Sequence, residues 1–283
     1  MDFDRIRTLT ITALFSDDEL FEIIVLKGGN ALTLVYGLSS RASLDLDFSI
    51  EHDFTEPDRV AARISRALQD RFSGAGLVVF DERFEPRPST QAEGEMAAWG
   101  GYRLAFKLVE RERYNALSGD IEAIRREALE IGPAHLRTFT VDFSKFEYCG
   151  EKQPAELDDF TIYVYSPAML AIEKLRAICQ QMAEYPLRRT QQRRARDFYD
   201  IHQLVVEAGV NVSSVENIEL MNRIFAAKRV PVGLLRRVSE TREFHRPDWL
   251  AVEQTVKGTL KRFDYYFDFV VNLTEVLETA GVI

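Results

Sequence analysis

Two acidic side chains set two residues apart carry the strongest chemical signal in the sequence. In Ser43-Leu44-Asp45-Leu46-Asp47-Phe48-Ser49-Ile50, apolar and polar residues alternate strictly, which predicts a β-strand. Alternate strand residues share a face, so Leu44, Leu46, Phe48 and Ile50 point into a core while Asp45 and Asp47 point together to the other side. Two neighbouring carboxylates repel, and a cation or a shared proton must relieve them. A hard divalent ion suits them, because it prefers oxygen ligands and commonly uses one or two carboxylates plus substrate phosphates. Two such ions would activate an attacking oxygen and stabilise a leaving one. The bland alternative is an exposed edge strand whose aspartates are merely solvated.

Upstream, Val25-Leu26-Lys27-Gly28-Gly29-Asn30-Ala31-Leu32 ends a short apolar run in a tight turn. Paired glycines let the backbone approach a ligand closely. The N–H groups that open the following helix favour phosphate, and the Asn30 amide is a further donor. Gly28, Gly29 and Asn30 are therefore expected to cradle a triphosphate, although a plain strand-to-helix turn would read the same way. No GxxxxGK[ST] pattern occurs, which argues against a P-loop enzyme.

The elements that must position these groups fall into two sets. Short strands and helices are expected to alternate up to residue 166. The expected helices are about 5–24, Ala31–Tyr36 and Pro57–Phe72, and the expected strands are Leu77–Phe80, Tyr102–Glu110, Thr138–Lys145 and Phe160–Tyr165, with a polar loop over Glu85–Glu95. Ser166 and Pro167 then suit a helix cap and first turn. Helical patterns follow over 167–182, 190–208, 214–227, 231–239, 248–257 and 259–280. The reading is an α+β protein, with a mixed-sheet domain over 1–166 and a helical domain over 167–283.

Bulk properties narrow the classes. A formal net charge of −9 argues against a general nucleic-acid coat. Two cysteines and four scattered histidines fit neither a disulfide framework nor a zinc site. The acidic N-terminus lacks an apolar signal core and no run is long enough to span a membrane, so a cytoplasmic protein without a membrane partner is expected.

The combined signature, Lys27-Gly28-Gly29-Asn30-Ala31-Leu32 followed by Arg41-Ala42-Ser43-Leu44-Asp45-Leu46-Asp47-Phe48, resembles the AbiEii/AbiGii toxin family of the nucleotidyltransferase superfamily, which includes the MenT-type toxins. The family usually has Ser or Thr after the glycines, where this chain has Asn30. The resemblance implies a nucleotidyltransferase-type sheet and a third carboxylate on a later strand. Asp142, in Phe139-Thr140-Val141-Asp142-Phe143, fits best, and Asp158 and Asp159 are weaker rivals. Met169–Ala177 resembles the family's helix with a functional lysine, at Lys174 here. Arg193-Arg194-Ala195-Arg196-Asp197-Phe198-Tyr199-Asp200 resembles its R-D-x-x-D helix, with Asp197 orienting Lys174 or the nucleotide and Asp200 locking the helix.

The stretch Arg188–Arg196 holds five arginines (Arg188, Arg189, Arg193, Arg194 and Arg196), the densest basic feature of an acidic chain. It reads as a phosphate-contacting patch for RNA or for the nucleotide. The resulting expectation is transfer of a nucleoside monophosphate from an NTP to an acceptor, with Mg2+ (or Mn2+) as cofactor. The resemblance implies the 3′ end of tRNA as acceptor, growth arrest as outcome and a cognate antitoxin as partner. Other acceptors (a protein or a small molecule) and an inactive nucleotide-binding module are the rival readings. Ser43 shares the strand face of Asp45, so phosphorylating it would place negative charge beside the carboxylates.

Overall fold

The computed structural model describes residues 3–38, 45–88, 99–131, 135–187, 190–256 and 258–283. Ser43, Arg188 and Arg189 lie outside the described residues.

The chain opens with helices α1 (Phe3–Phe15) and α2 (Asp18–Ile23), then β1 (Val25–Lys27). The single helix expected over 5–24 is broken because Asp17 caps a new one: its carboxylate accepts from the Glu19 and Leu20 amides. The β-branched Ile24 is extended and leads into β1. Gly28–Asn30 form a single helical turn, α3, that runs on as a π-helical stretch, Ala31–Val35. Next come β2 (Leu46–Ser49), α4 (Pro57–Gly74), β3 (Leu77–Arg87), β4 (Gly101–Glu110), α5 (Arg111–Ala116), α6 (Ile121–Arg126), β5 (Phe139–Ser144), β6 (Gln153–Leu157) and β7 (Phe160–Val164). Among the described residues, everything regular after Ser166 is helical: α7 (Pro167–Cys179), α8 (Ala195–Val206), α9 (Val215–Ala227), a 3-10 helix (Val232–Thr241), α10 (Arg242–His245), a 3-10 turn (Arg246–Asp248), α11 (Trp249–Glu253) and α12 (Phe263–Thr279).

The seven strands make one mixed sheet in the order β3-β4-β5-β2-β1-β7-β6. β2 and β5 run parallel at its centre, and β1 and β4 pair antiparallel on either side of them. The α+β expectation therefore holds. Some elements differ from the pattern reading. β3 runs on to Arg87, past a register shift between Phe80 and Arg83, so part of the expected loop is strand. β6, an edge strand containing Pro154, was hidden because proline and exposed polar residues mask strand character.

Each sheet face has its own chemistry. Phe48, Phe139 and Phe106 face α1 and α4, where they meet Phe15, Phe3 and Phe72. Leu46, Phe48, Val141 and Phe143 are all buried, so this side is core. The intervening residues Asp47, Thr140, Asp142 and Ser144 are only partly covered and face the helical half.

α7 ties the two halves together. Ser166 caps it by accepting from the Met169 amide, and Pro167 occupies its first turn. It is buried almost all round, including two cations, Lys174 and Arg176. Two residues apart on a helix means roughly opposite sides. Lys174 accordingly grips α8 through Asp197 (3.1 Å) and Asp200 (2.8 Å), while Arg176 reaches Glu147 beyond β5 at 2.9 Å.

Candidate active site

The carboxylates meet because of sheet register. Asp47 on β2 lies directly beside Asp142 on the parallel strand β5. Lys27 on β1 is the antiparallel partner of Asp47, and Arg103 on β4 is that of Asp142. The result is a row across four strands, Arg103–Asp142–Asp47–Lys27, with the acids in the middle and a cation at each end. Asp45 stands just before β2, two residues from Asp47, so the three aspartates collect at one end of two central strands.

Each acid is held differently. Asp142 takes a two-pronged contact from Arg103, Nε to Oδ1 at 2.6 Å and Nη2 to Oδ2 at 2.5 Å. Asp45 Oδ1 accepts from the Thr140 hydroxyl at 2.9 Å. Burial pushes the Asp47 carboxyl up to about 6; Lys27 opposes that rise, and Asp142 and Asp45 add to it. Among the described residues no three acidic, His or Cys side chains form a ready metal cluster. Both oxygens of Asp142 are engaged by Arg103.

The glycine turn has a steric role. Gly28 adopts φ +73°, and a Cβ placed on it would lie 2.7 Å from Asp47 Oδ2. Only glycine lets the turn close against that carboxylate. Gly28→Ala is therefore expected to cost about 1–3 kcal/mol in backbone strain and to push the Asp47 side chain aside. Urea denaturation would read the first effect and a divalent-cation titration the second. A variant with wild-type stability and affinity would contradict this role.

Asn30 differs from its expected use as a phosphate contact. The side chain is fully buried. Its Oδ1 accepts from Arg7 Nη1 at 2.5 Å, and its Nδ2 donates to the Asp45 carbonyl at 2.6 Å. It is thus a strut from α1 to the backbone that leads into β2. The sequence could not show this, because Arg7 and Asp45 meet it only in the fold.

Around the acids lies a cavity of about 520 Å3, lined by Gly28 and Gly29 on one side and by Lys174, Arg193, Arg194, Arg196 and Asp197 on another. The described arginines of the basic stretch therefore open onto the carboxylates. Arg193 and Arg194 precede α8 instead of lying within the helix expected from residue 190. Lys174 lines the same cavity but is already bound between Asp197 and Asp200. Asp158 lies elsewhere, paired with Arg5 and Arg71. A further cavity of about 620 Å3, among Glu19, Glu51, Phe54 and Cys149, touches none of the site residues.

Pattern reading passed over Lys27, Arg103, Glu147, Arg176 and Lys228. Glu147 is buried among three cations: Arg176 at 2.9 Å, Lys27 at 3.1 Å and Lys228 at 3.7 Å. Burial alone would raise its carboxyl, but Arg176, Lys27 and Lys228 more than offset this and hold it well below the usual carboxylate range. Strand alternation could have singled out Arg103 and Lys27; nothing local marks Glu147 or Lys228.

Residues 11–271 match the family described as nucleotidyl transferase AbiEii toxin, of a type IV toxin–antitoxin system. No curated protein matches the chain. Among solved structures, a Helicobacter pylori protein aligns over 98% of this chain and 93% of its own, at 14% identity and a TM-score of 0.51. JHP933 from Helicobacter pylori aligns over 98% and 90%, at 15% identity and a TM-score of 0.49. The likeness at a TM-score of 0.51 speaks to the fold alone, whereas the family match covers most of the sequence. No described helix is long and apolar enough to cross a membrane. The chain belongs to the AbiEii family of nucleotidyltransferase toxins of type IV toxin–antitoxin systems.

Proposed function

We propose that the protein transfers a nucleoside monophosphate from a nucleoside triphosphate to a hydroxyl of RNA, with a tRNA 3′ end as acceptor and Mg2+ (or Mn2+) as the required cation. The observation that carries this reading is the side-by-side placement of Asp47 and Asp142 on parallel strands, with Asp45 two residues away, all opening onto one cavity. The donor set fits a hard divalent ion: all ligands are carboxylate oxygens, and Asp47 holds a proton unusually tightly when no cation relieves it. Asp45 and Asp47 would hold the ion, and Asp142 would join them once turned away from Arg103. When bound, the ion neutralises phosphate charge and lowers the pKa of an attacking hydroxyl.

The chain's own groups do the rest. Gly28 and Gly29 bring backbone close to the acids. Arg193 and Arg196 supply positive charge for the polyphosphate, and Lys174 adds to that field from its place between Asp197 and Asp200. Catalysis is then positioning and charge neutralisation. Asn30 does not argue for an inactive module, since its amide fixes Asp45 and leaves the acids in place. Family membership also brings a cognate antitoxin as the partner that restrains the activity, and phosphorylation of Ser43 remains a proposed route.

Calorimetric titration with Mg2+ and each NTP tests the reading. Binding that needs both components and fails in Asp45→Asn supports it, and NTP affinity indifferent to Mg2+ and to that variant contradicts it. A pH dependence follows as well. Below pH 6 the cation must displace a proton from Asp47, so its affinity should fall, by roughly tenfold per unit. The sign for stability is opposite: a raised carboxyl favours the folded state as pH drops from 7 through 6, so the metal-free protein gains stability there from this group. Cation titrations at pH 7 and pH 5 would show equal affinities if Asp47 were not a ligand.

A further inference from the structure

The carboxylate cavity has a neighbour. A second cavity of about 400 Å3 shares Lys27, Asp47, Arg103 and Asp142 with it, then continues away from the glycine turn to Arg87, Trp99 and Lys228. Gly101 shapes its floor: a Cβ there would lie 1.7 Å from the Phe143 carbonyl oxygen, so β4 and β5 can close only around glycine.

The two cavities differ in charge. Six basic and six acidic residues line the first, so it needs cations before it can take a polyphosphate. Six basic and four acidic residues line the second, a formal excess of two positive charges with no metal. Part of that excess is the buried trio of Lys27, Arg176 and Lys228 around Glu147, with Arg176 also paired to Glu173 at 3.1 Å. Burial, with Arg176 and Lys27 close by, pushes the Lys228 ammonium down to about 8, although Glu147 opposes this. An added anion would relieve that strain.

The mouth adds a second kind of recognition. The Lys228 ammonium stands 5.8 Å from the centroid of the Trp99 ring, and the indole N–H donates to the Tyr185 hydroxyl at 2.6 Å. The ring is therefore held in place beside a cation, and Arg87 is exposed next to it. A fixed aromatic ring flanked by cations binds a base by stacking and its phosphate by charge. In-line transfer also requires the acceptor hydroxyl to approach phosphorus from the side opposite the leaving pyrophosphate. With the triphosphate on the glycine-turn side of Asp47 and Asp142, that approach comes from the second cavity.

We propose that this second cavity is the acceptor's seat and takes the terminal nucleotide of a single strand of RNA, its base on Trp99 and its phosphate between Arg87 and Lys228, without need of a metal ion. The assignment rests on the nucleotidyl-transfer reading above. The test is fluorescence anisotropy of the full chain with a labelled single-stranded eight-nucleotide RNA, in EDTA and without NTP. Wild type and Asp45→Asn should bind equally, because Asp45 lines only the first cavity. Arg87→Ala and Trp99→Leu should each weaken binding, by about fivefold or more, while Mg2+-NTP binding stays at the wild-type value. Arg87 is exposed, so its variant keeps the fold and the test does not hinge on Trp99. RNA affinity unchanged in both variants, or RNA binding that requires Mg2+ and NTP, overturns the seat. The two readings fail separately. Transfer by wild type with unchanged RNA affinity in the variants removes the seat alone. RNA bound through Arg87 and Trp99 with no transfer of any nucleotide removes the transfer reading alone.

Discussion

Asp47→Asn is expected to lose nucleotidyl transfer by roughly 10^3-fold or more, because charge stabilisation by a bound cation carries much of such a reaction. The same variant should leave the metal-free fold as stable as before, or make it more stable. Asp47 is a charge the apo protein tolerates poorly: burial raises its carboxyl to about 6, and Asp142 and Asp45 add like charge beside it. An amide of the same shape removes the repulsion and still fits under Gly28. A purely structural aspartate behaves in the opposite way, with stability falling when its charge is lost. Thermal melting and a transfer assay on one preparation separate the two cases. A lower melting temperature with retained activity would show that Asp47 belongs to the scaffold.

Glu147→Gln should have the largest effect on stability. Glu147 is buried and faces Arg176, Lys27 and Lys228. Removing one partner of a buried ionic cluster leaves uncompensated charge, at a cost of about 3–5 kcal/mol. The cluster joins β1, the segment after β5, α7 and the end of α9, so the loss falls on the contact between sheet and helices. Its pH dependence has a definite sign. The Glu147 carboxyl is held well below its usual range, so its contribution is complete above its unfolded value of about 4.3 and is lost only as pH falls toward the folded one. Urea denaturation should therefore show a wild-type advantage that this carboxyl keeps undiminished at pH 5 and that shrinks in stronger acid. A difference under about 1 kcal/mol at pH 7 would mean that water or rearranged partners already serve these cations.

Much of this architecture is legible in sequence because it is local. Alternation around Asp45 and Asp47 reports which side of the strand each residue faces, and the fold keeps Leu46 and Phe48 buried with Asp47 opposite. Ser166 and Pro167 mark the start of α7 by cap chemistry alone. Partnership between distant segments leaves no such mark. That Asp142 stands level with Asp47 depends on the parallel register of β2 and β5, which alternation within either strand cannot specify. Asn30 reads as a donor in a glycine turn, yet its partners are Arg7 and the Asp45 carbonyl. Nothing in the sequence of α7 marks Lys174 and Arg176 as buried. They are buried because α7 is covered by α8 and by α9, with the Glu147 segment closing over Arg176. The resemblance pointed to Asp142 and Lys174 but not to Arg103 and Glu147, the groups that hold the neighbouring charges.

The central claim is that Asp45 and Asp47 serve transfer of a nucleoside monophosphate to RNA. The direct measurement is incubation of the protein with total RNA, Mg2+ and each of the four NTPs in turn, labelled at the α-phosphorus or at the γ-phosphorus. α-Label should enter RNA with at least one NTP, γ-label should never do so, and Asp47→Asn should abolish the incorporation. Failure of all four α-labelled nucleotides to enter RNA, or incorporation undiminished in Asp47→Asn, would contradict that claim.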